Sequence, residues 1–203
     1  MVLGAAMERE EGTNRKLPAS LAALMRRAGE GAPARPVDKW DPPHCGRIDM
    51  RIAADGTWFY MGSPIGRPAL VKLFASVLRR EADGEYVLVT PVEKIGISVD
   101  DAPFLAVEMA AEGRGEARRI TFRTNVDDLV TADEAHPLRF AVEAETLGVK
   151  PYLGVRGRLE ALLTRALAHE LLELAEERDG RLGVFSGGAF FPLPLPQEEF
   201  PGA

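Results

Sequence analysis

Apolar and polar residues alternate along parts of this chain and recur at helical intervals along others, and each change of period marks an element. Leu17, Leu21, Leu24, Met25 and Ala28 keep to one helix face, which predicts a short amphipathic helix ending near Gly29. The Gly/Pro-rich run GEGAPARPVDKWDPP then interrupts regular structure, with Trp40 expected to pack back on the body. Ile48, Met50 and Ile52 alternate with Asp49 and Arg51, and Trp58 and Tyr60 alternate on a return segment. Asp55-Gly56 between them predicts a tight hairpin. Leu70, Val71, Phe74, Val77 and Leu78 return to helical spacing, and Asp83-Gly84 turns the chain into a strand over 86–89. β-Branched and aromatic runs between the spacers VDDAP, EGRGE and TNVDD predict strands near 94–99, 103–110 and 117–123. Strands near 138–142 and 152–155 follow. Leu159, Leu162, Leu163, Ala166, Leu167, Leu171 and Leu174 then predict a long helix over about 158–178. Asp179-Gly180 leads into LGVF, and SGGAFFPLPLP supplies a last short strand before a proline-rich end expected to be disordered.

One phrase occurs twice. Residues 59–70 read FYMGSPIGRPAL and residues 151–162 read PYLGVRGRLEAL. Each half of the chain reads strand, strand, Tyr-apolar-Gly, Gly-Arg, helix, Asp-Gly, strand. A spacing of roughly ninety residues is too long for a solenoid and points to an internal duplication. The expected fold is therefore α+β, with two related halves that each carry a small antiparallel sheet and one long helix, plus the short amino-terminal helix. The corresponding divisions are an arm over 1–36, halves over 37–113 and 114–194, and a tail over 195–203.

Composition narrows the function classes. At 203 residues the chain can form one large domain or two small ones around a sizeable core. A net charge of −6 argues against a general nucleic-acid binder and against docking on anionic membranes. Cys45 is the single cysteine, so neither an intramolecular disulfide nor a thiolate metal cluster can form within the chain. The first residues lack the pattern of a signal peptide, and no apolar run approaches the ~20 residues of a membrane helix. A cytoplasmic protein without nucleic-acid or membrane partners is expected.

The runs WDPPHCGRIDMRIAADGTWFYMGSPIGRPALVKLFASVLRREADGEYVLVTPVEKIGISVDDAPF, HPLRF, PYLGVRGRLEALLTRAL and GVFSGGAFFPL resemble a bacterial family known as domain of unknown function number 1285. The resemblance runs from Trp40 to about Leu193. It implies an α+β protein built from repeated structural motifs, with no enzymatic activity attached and a regulatory or signalling role suggested.

Among residues that carry chemistry, Gly-Arg at the expected start of each long helix stands out. A helix amino terminus exposes unpaired N–H groups that attract anions, and Arg67, Arg156 and Arg158 would add guanidinium forks. Tyr60 and Tyr152 occupy matching places and would wall a cleft shared by the halves. The competing structural reading makes the phrase a strand-to-helix corner whose arginines pair with acidic neighbours. His44-Cys45 reads poorly as a thiol–imidazole pair, because adjacent extended residues point apart, and Cys45 reads as a buried small hydrophobe. His44, His136 and His169 lack metal-ligand spacing, and Asp100-Asp101 and Asp127-Asp128 read as solvated turns. Phosphate-loop and dinucleotide patterns are absent; Ser186-Gly187-Gly188 offers a weak anion nest.

These readings favour a non-enzymatic ligand- or partner-binding module, regulatory in role, for an anionic small molecule or acidic peptide. No catalytic residue, metal or cofactor is expected. The alternatives are a hydrolase or transferase with its site between the halves, and a homodimeric assembly protein.

Overall fold

A computed structural model describes residues 35–143, 146 and 148–194. The expected amino-terminal helix and the 195–203 tail lie outside the described residues. Chain contacts divide the protein into two compact units. One takes the described residues through Met50 together with Tyr60–Ser98; the other takes Arg51–Phe59 and the described residues from Val99 onward.

The first sheet is built from β1 (His44–Ile52), β2 (Trp58–Tyr60), β3 (Ser63–Pro64), β4 (Leu78–Arg80), β5 (Tyr86–Val89) and β6 (Lys94–Val99). Its strand order is β3-β2-β1-β6-β5-β4. The hairpin expected at Asp55-Gly56 joins β1 to β2. Asp55 Oδ1 accepts the Thr57 N–H at 2.9 Å, and Gly56 takes φ 80°, a conformation that suits a residue without Cβ. Helix α1 (Pro68–Ser76) separates β3 from β4 and buries Leu70, Leu73, Phe74 and Ala75. Asp83-Gly84 then closes the β4–β5 hairpin, where Asp83 Oδ1 accepts the Glu85 N–H at 3.0 Å. Trp40 is half-buried, and its carbonyl accepts from Arg79 Nη1 at 2.6 Å.

The second unit carries β7 (Phe104–Glu112), β8 (Arg119–Thr124), β9 (Leu129–Thr131), β10 (Leu138–Val142), β11 (Val149–Arg156) and β12 (Leu159–Leu163). They form a sheet in the order β10-β11-β12-β7-β8-β9. Neighbours are antiparallel except β12 and β7, which run parallel with Ala161 beside Phe104 and Leu163 beside Ala106. Helix α2 (Arg165–Glu173) follows β12 and packs on β7, β11 and β12 through Leu167, Ala168 and Leu171. Phe104, Phe122, Leu153, Ala161 and Leu171 are all fully buried and supply apolar area removed from water. A third sheet, β13 (Glu176–Arg178), β14 (Arg181–Ser186) and β15 (Ala189–Pro192), completes the unit. Arg118 fastens it: its guanidinium is buried, donates to the Leu174 carbonyl at 2.6 Å and pairs with Glu176 at 2.6 Å.

The α+β expectation of two related halves, each with a long helix, is overturned. Among the described residues strand accounts for 48% and helix for 15%, so they are mainly β. The helix expected over 158–178 is three elements: β12, the nine-residue α2 and β13. Leu159, Ala161 and Leu163 are buried at alternate positions, the period of a strand. Their leucines also satisfy i, i+3 and i+4 spacing with those of α2, which is why the helical pattern looks continuous. Thr164, with φ −58° and ψ 154°, makes the break before the helix starts.

Candidate functional site

The second unit contains a groove of about 520 Å3 between the start of β11, the end of β12 and the exposed flank of α2. Its origin is traceable to one residue. The Gly154 N–H donates to the Pro137 carbonyl and the Glu143 N–H to the Gly148 carbonyl, which turns the even-numbered residues of β11 toward β10. The nitrogen of Pro151 therefore faces β12, and proline has no hydrogen to give. The β11–β12 ladder ends at Tyr152 opposite Leu162; past that point β12 keeps only its pairing with β7, through Leu163 beside Ala106, before the chain enters α2. Val149, Pro151, Leu163, Ala168 and Leu172 line the opening with apolar surface.

Charged groups stand on two sides of this surface. On the β11 side, Lys150 Nζ lies 3.2 Å from Glu143 Oε1 and 3.3 Å from Asp101 Oδ2. The Thr146 hydroxyl donates to Glu143 Oε2 at 2.6 Å, and the Tyr152 hydroxyl donates to Asp101 Oδ1 at 2.8 Å. The Thr146 hydrogen bond, then Lys150, holds the Glu143 carboxyl below its usual range. Glu143, then Asp101, pushes the Lys150 ammonium above its own. Burial, reinforced by the bond to Asp101, pushes the Tyr152 phenol up to about 12. The Arg139 guanidinium covers the other side of this network, 4.2 Å from the Tyr152 ring centroid, and grips Glu160 through two bonds of 2.8 and 2.9 Å.

On the α2 side, Arg165 and His169 line the groove one helical turn apart. Both are exposed, and among the described residues neither has an ion pair or hydrogen bond from its side chain. The two walls thus differ in kind. Lys150 is held by two carboxylates, whereas Arg165 and His169 present their donors outward.

The residues singled out in the sequence distribute differently. Tyr60 ends β2 and is buried, its phenol pushed up by burial and then by Asp49. Arg67 is exposed at the cap of α1, where its carbonyl accepts from the Leu70 and Val71 N–H groups. These two belong to the first unit, while Tyr152, Arg156 and Arg158 belong to the second. Arg156 pairs with Asp128 at 2.5 Å and lies 5.0 Å from the Phe104 ring centroid, beyond a bulge in β11. Arg158 is exposed in the two-residue loop joining β11 to β12. Tyr152 enters the Asp101 network beside the groove, and Arg156 stands with a different carboxylate.

Other candidates resolve into structure. Cys45 is exposed rather than buried, and His44 accepts the Gly46 N–H through Nδ1 while its Nε2 lies 3.3 Å from Glu85. The aspartate pairs are partners of cations as well as turn residues: Asp100 with Arg51, Asp101 with Lys150, Asp127 with Arg123 and Asp128 with Arg156. Gly187-Gly188 forms the β14–β15 hairpin with φ 57° and 80°, and the Gly187 N–H is already given to the Arg118 carbonyl. No helix of the described residues is long and apolar enough to cross a membrane.

Arg165 and His169 are within reach of sequence reasoning. They stand four residues apart in a segment with helical spacing, but a histidine weighed only as a metal ligand does not draw attention to an arginine. The groove itself depends on where the β11–β12 ladder stops, and composition carries no trace of that.

Residues 35–102 match the family model "Domain of unknown function (DUF1285), N-terminal domain", and residues 103–193 match "Protein of unknown function (DUF1285), C-terminal domain". A crystal structure of a DUF1285 family protein from Silicibacter pomeroyi DSS-3 is similar at 49% identity and TM-score 0.78, covering 84% of this chain and 93% of that one. A second such structure, from Shewanella baltica OS155, has 28% identity and TM-score 0.48, covering 61% of this chain and 90% of that one. No curated protein matches.

Proposed function

The chain belongs to the DUF1285 family, whose descriptions state no function, and from that premise we propose that it is a non-enzymatic, regulatory module binding a small anionic ligand in the α2 groove. The observation that carries this reading is the pairing of an apolar floor with the exposed Arg165 guanidinium and His169 imidazole. Concave, mostly apolar surfaces with a few convergent polar groups are where small ligands bind. A guanidinium one helical turn from an imidazole supplies directed donors to a carboxylate or phosphate.

Binding is favoured over catalysis by the direction in which the neighbouring groups are displaced. General acid–base work needs groups that titrate near the working pH. Glu143 is held down, Lys150 is pushed up and Tyr152 reaches about 12, all away from neutrality. Such a wall fixes geometry and charge. Tyr152 serves this reading as a positioning residue, through Asp101 and Lys150, and Arg67, Arg156 and Arg158 lie outside the groove's lining.

The test is thermal unfolding with inorganic phosphate, citrate, glutamate, octanoate and nucleotides added singly. A ligand that binds the folded state raises the midpoint by mass action, and the rise continues with the logarithm of its concentration above Kd. At least one of these anions is expected to do so, and Arg165→Ala combined with His169→Ala is expected to remove the shift while leaving the unliganded midpoint within a few degrees. A panel that leaves the midpoint unmoved, or a shift that survives the double substitution, overturns the reading.

A further inference from the structure

We infer that the ligand class is a monocarboxylate with an unbranched apolar tail of medium length. This rests on the α2 groove being a binding site and deepens that reading.

The inference follows from how polarity is laid out around the opening. The donors without a partner among the described residues are gathered on one element, with Arg165 at the start of α2 and His169 one turn later. Across from them a single cation, Lys150, is bracketed by two carboxylates, Glu143 and Asp101, so that side is net negative. A compact polyanion such as citrate or a nucleotide triphosphate would set most of its charges against Val149, Pro151, Leu163 and Leu172, which offer no donors from their side chains. A ligand with one charged head and an otherwise apolar body meets both conditions. Its carboxylate takes the Arg165 guanidinium, with a second bond from His169, and its tail covers the floor toward Leu172.

The size is bounded by the helix. From Arg165 to Leu172 α2 advances ~10 Å at about 1.5 Å per residue, the extended length of a tail of about eight carbons. The far end sharpens the selection, because a second carboxylate there would meet Leu172, whose side chain offers no donor.

The experiment is titration calorimetry of the full chain with acetate, hexanoate, octanoate and decanoate, beside octanol and the eight-carbon dicarboxylate suberate. Affinity is expected to rise about threefold to fourfold per added methylene up to octanoate, as burial of each one implies. Octanol and suberate are each expected to bind at least tenfold more weakly than octanoate. Leu172→Ser is expected to flatten the chain-length dependence, and Arg165→Ala to weaken every carboxylate by a similar factor. Because Leu172 is only partly buried and Arg165 is exposed, both variants are expected to fold, which circular dichroism checks. Equal affinity across the series, or octanol binding as well as octanoate, overturns the inference. In the first case acetate or phosphate still binds in an Arg165-dependent way and the anion-binding reading stands. If no anion binds at all, that reading falls and this inference with it.

Discussion

Two stretches of the chain say nearly the same thing and fold differently. In the first, Tyr60 ends β2, Gly62 and β3 follow, and Gly66-Arg67 leads into helix α1. In the second, Tyr152 lies within β11, and Gly157-Arg158 is a two-residue loop that returns the chain as β12. The residue after Gly-Arg separates the two outcomes. Pro68 has no N–H for a sheet ladder and a fixed φ that suits the first position of a helix, where donors are unpaired anyway. Leu159 can continue a ladder, and Gly157 at φ 53° occupies the first place of a tight hairpin loop, where only glycine sits without strain. A shared phrase is therefore not a shared structure, because its two copies differ at the position directly after Gly-Arg.

The sharpest way to break this comparison is to exchange the deciding residues. Leu159→Pro puts proline in an interior strand and removes a leucine that is only 3% exposed, so a loss of about 3 kcal/mol or more is expected. Pro68→Leu replaces a favourable first-turn residue with a good helix former and is expected to cost less than about 1 kcal/mol. Urea denaturation of both variants measures the difference, and similar losses would remove the explanation.

The matching tyrosines offer the next contrast. Tyr152 is pushed from 10.0 up to about 12 by burial and the Asp101 bond, so the folded state keeps its proton after the unfolded chain has lost it. Its contribution is fully present below pH 10 and is lost as pH rises through that range toward 12. Tyr60 is displaced the same way, by burial and Asp49, without a bonded carboxylate. Tyr152→Phe is expected to flatten the alkaline fall in stability more than Tyr60→Phe does. Denaturation midpoints from pH 9 to ~12 decide it, and an unchanged slope in Tyr152→Phe would count against the buried phenol as its source.

The smallest contrast lies in the glycines. Gly157→Ala forces a side chain into positive φ and is expected to cost about 1 kcal/mol. At Gly66 an added Cβ meets nothing within 4 Å, so Gly66→Ala is expected to be neutral or to stabilise by a few tenths of a kcal/mol. Thermal midpoints of the pair test this; a larger loss at Gly66 than at Gly157 would invert the comparison.

Much of the fold is legible in the order of residues alone. The Asp55-Gly56 hairpin and the strands Tyr86–Val89, Lys94–Val99 and Leu138–Val142 stand where alternation places them. The two-residue β3 and the three-residue β4, β9 and β13 are too short for a period to show. β12 escapes for another reason: Leu159, Leu162 and Leu163 fit both periods, and Gly157 followed by a single residue between apolar runs is the available hairpin signal. Of the candidate site, the Arg165–His169 spacing is readable and its setting is not. That setting depends on Pro151 ending a ladder with a strand whose leucines also fit a helix.

The parallel pairing of β12 with β7 also constrains how the protein is made. Ala161 must find Phe104 across a separation of about sixty residues, and such distant pairings are paid for in loop entropy before they return any contact energy. On the ribosome, β7, β8 and β9 emerge first with one edge of β7 unfilled, and they wait until β12 has left the exit tunnel. The second sheet therefore closes only late in synthesis, and until then its unfilled strand edge is open to association with other chains.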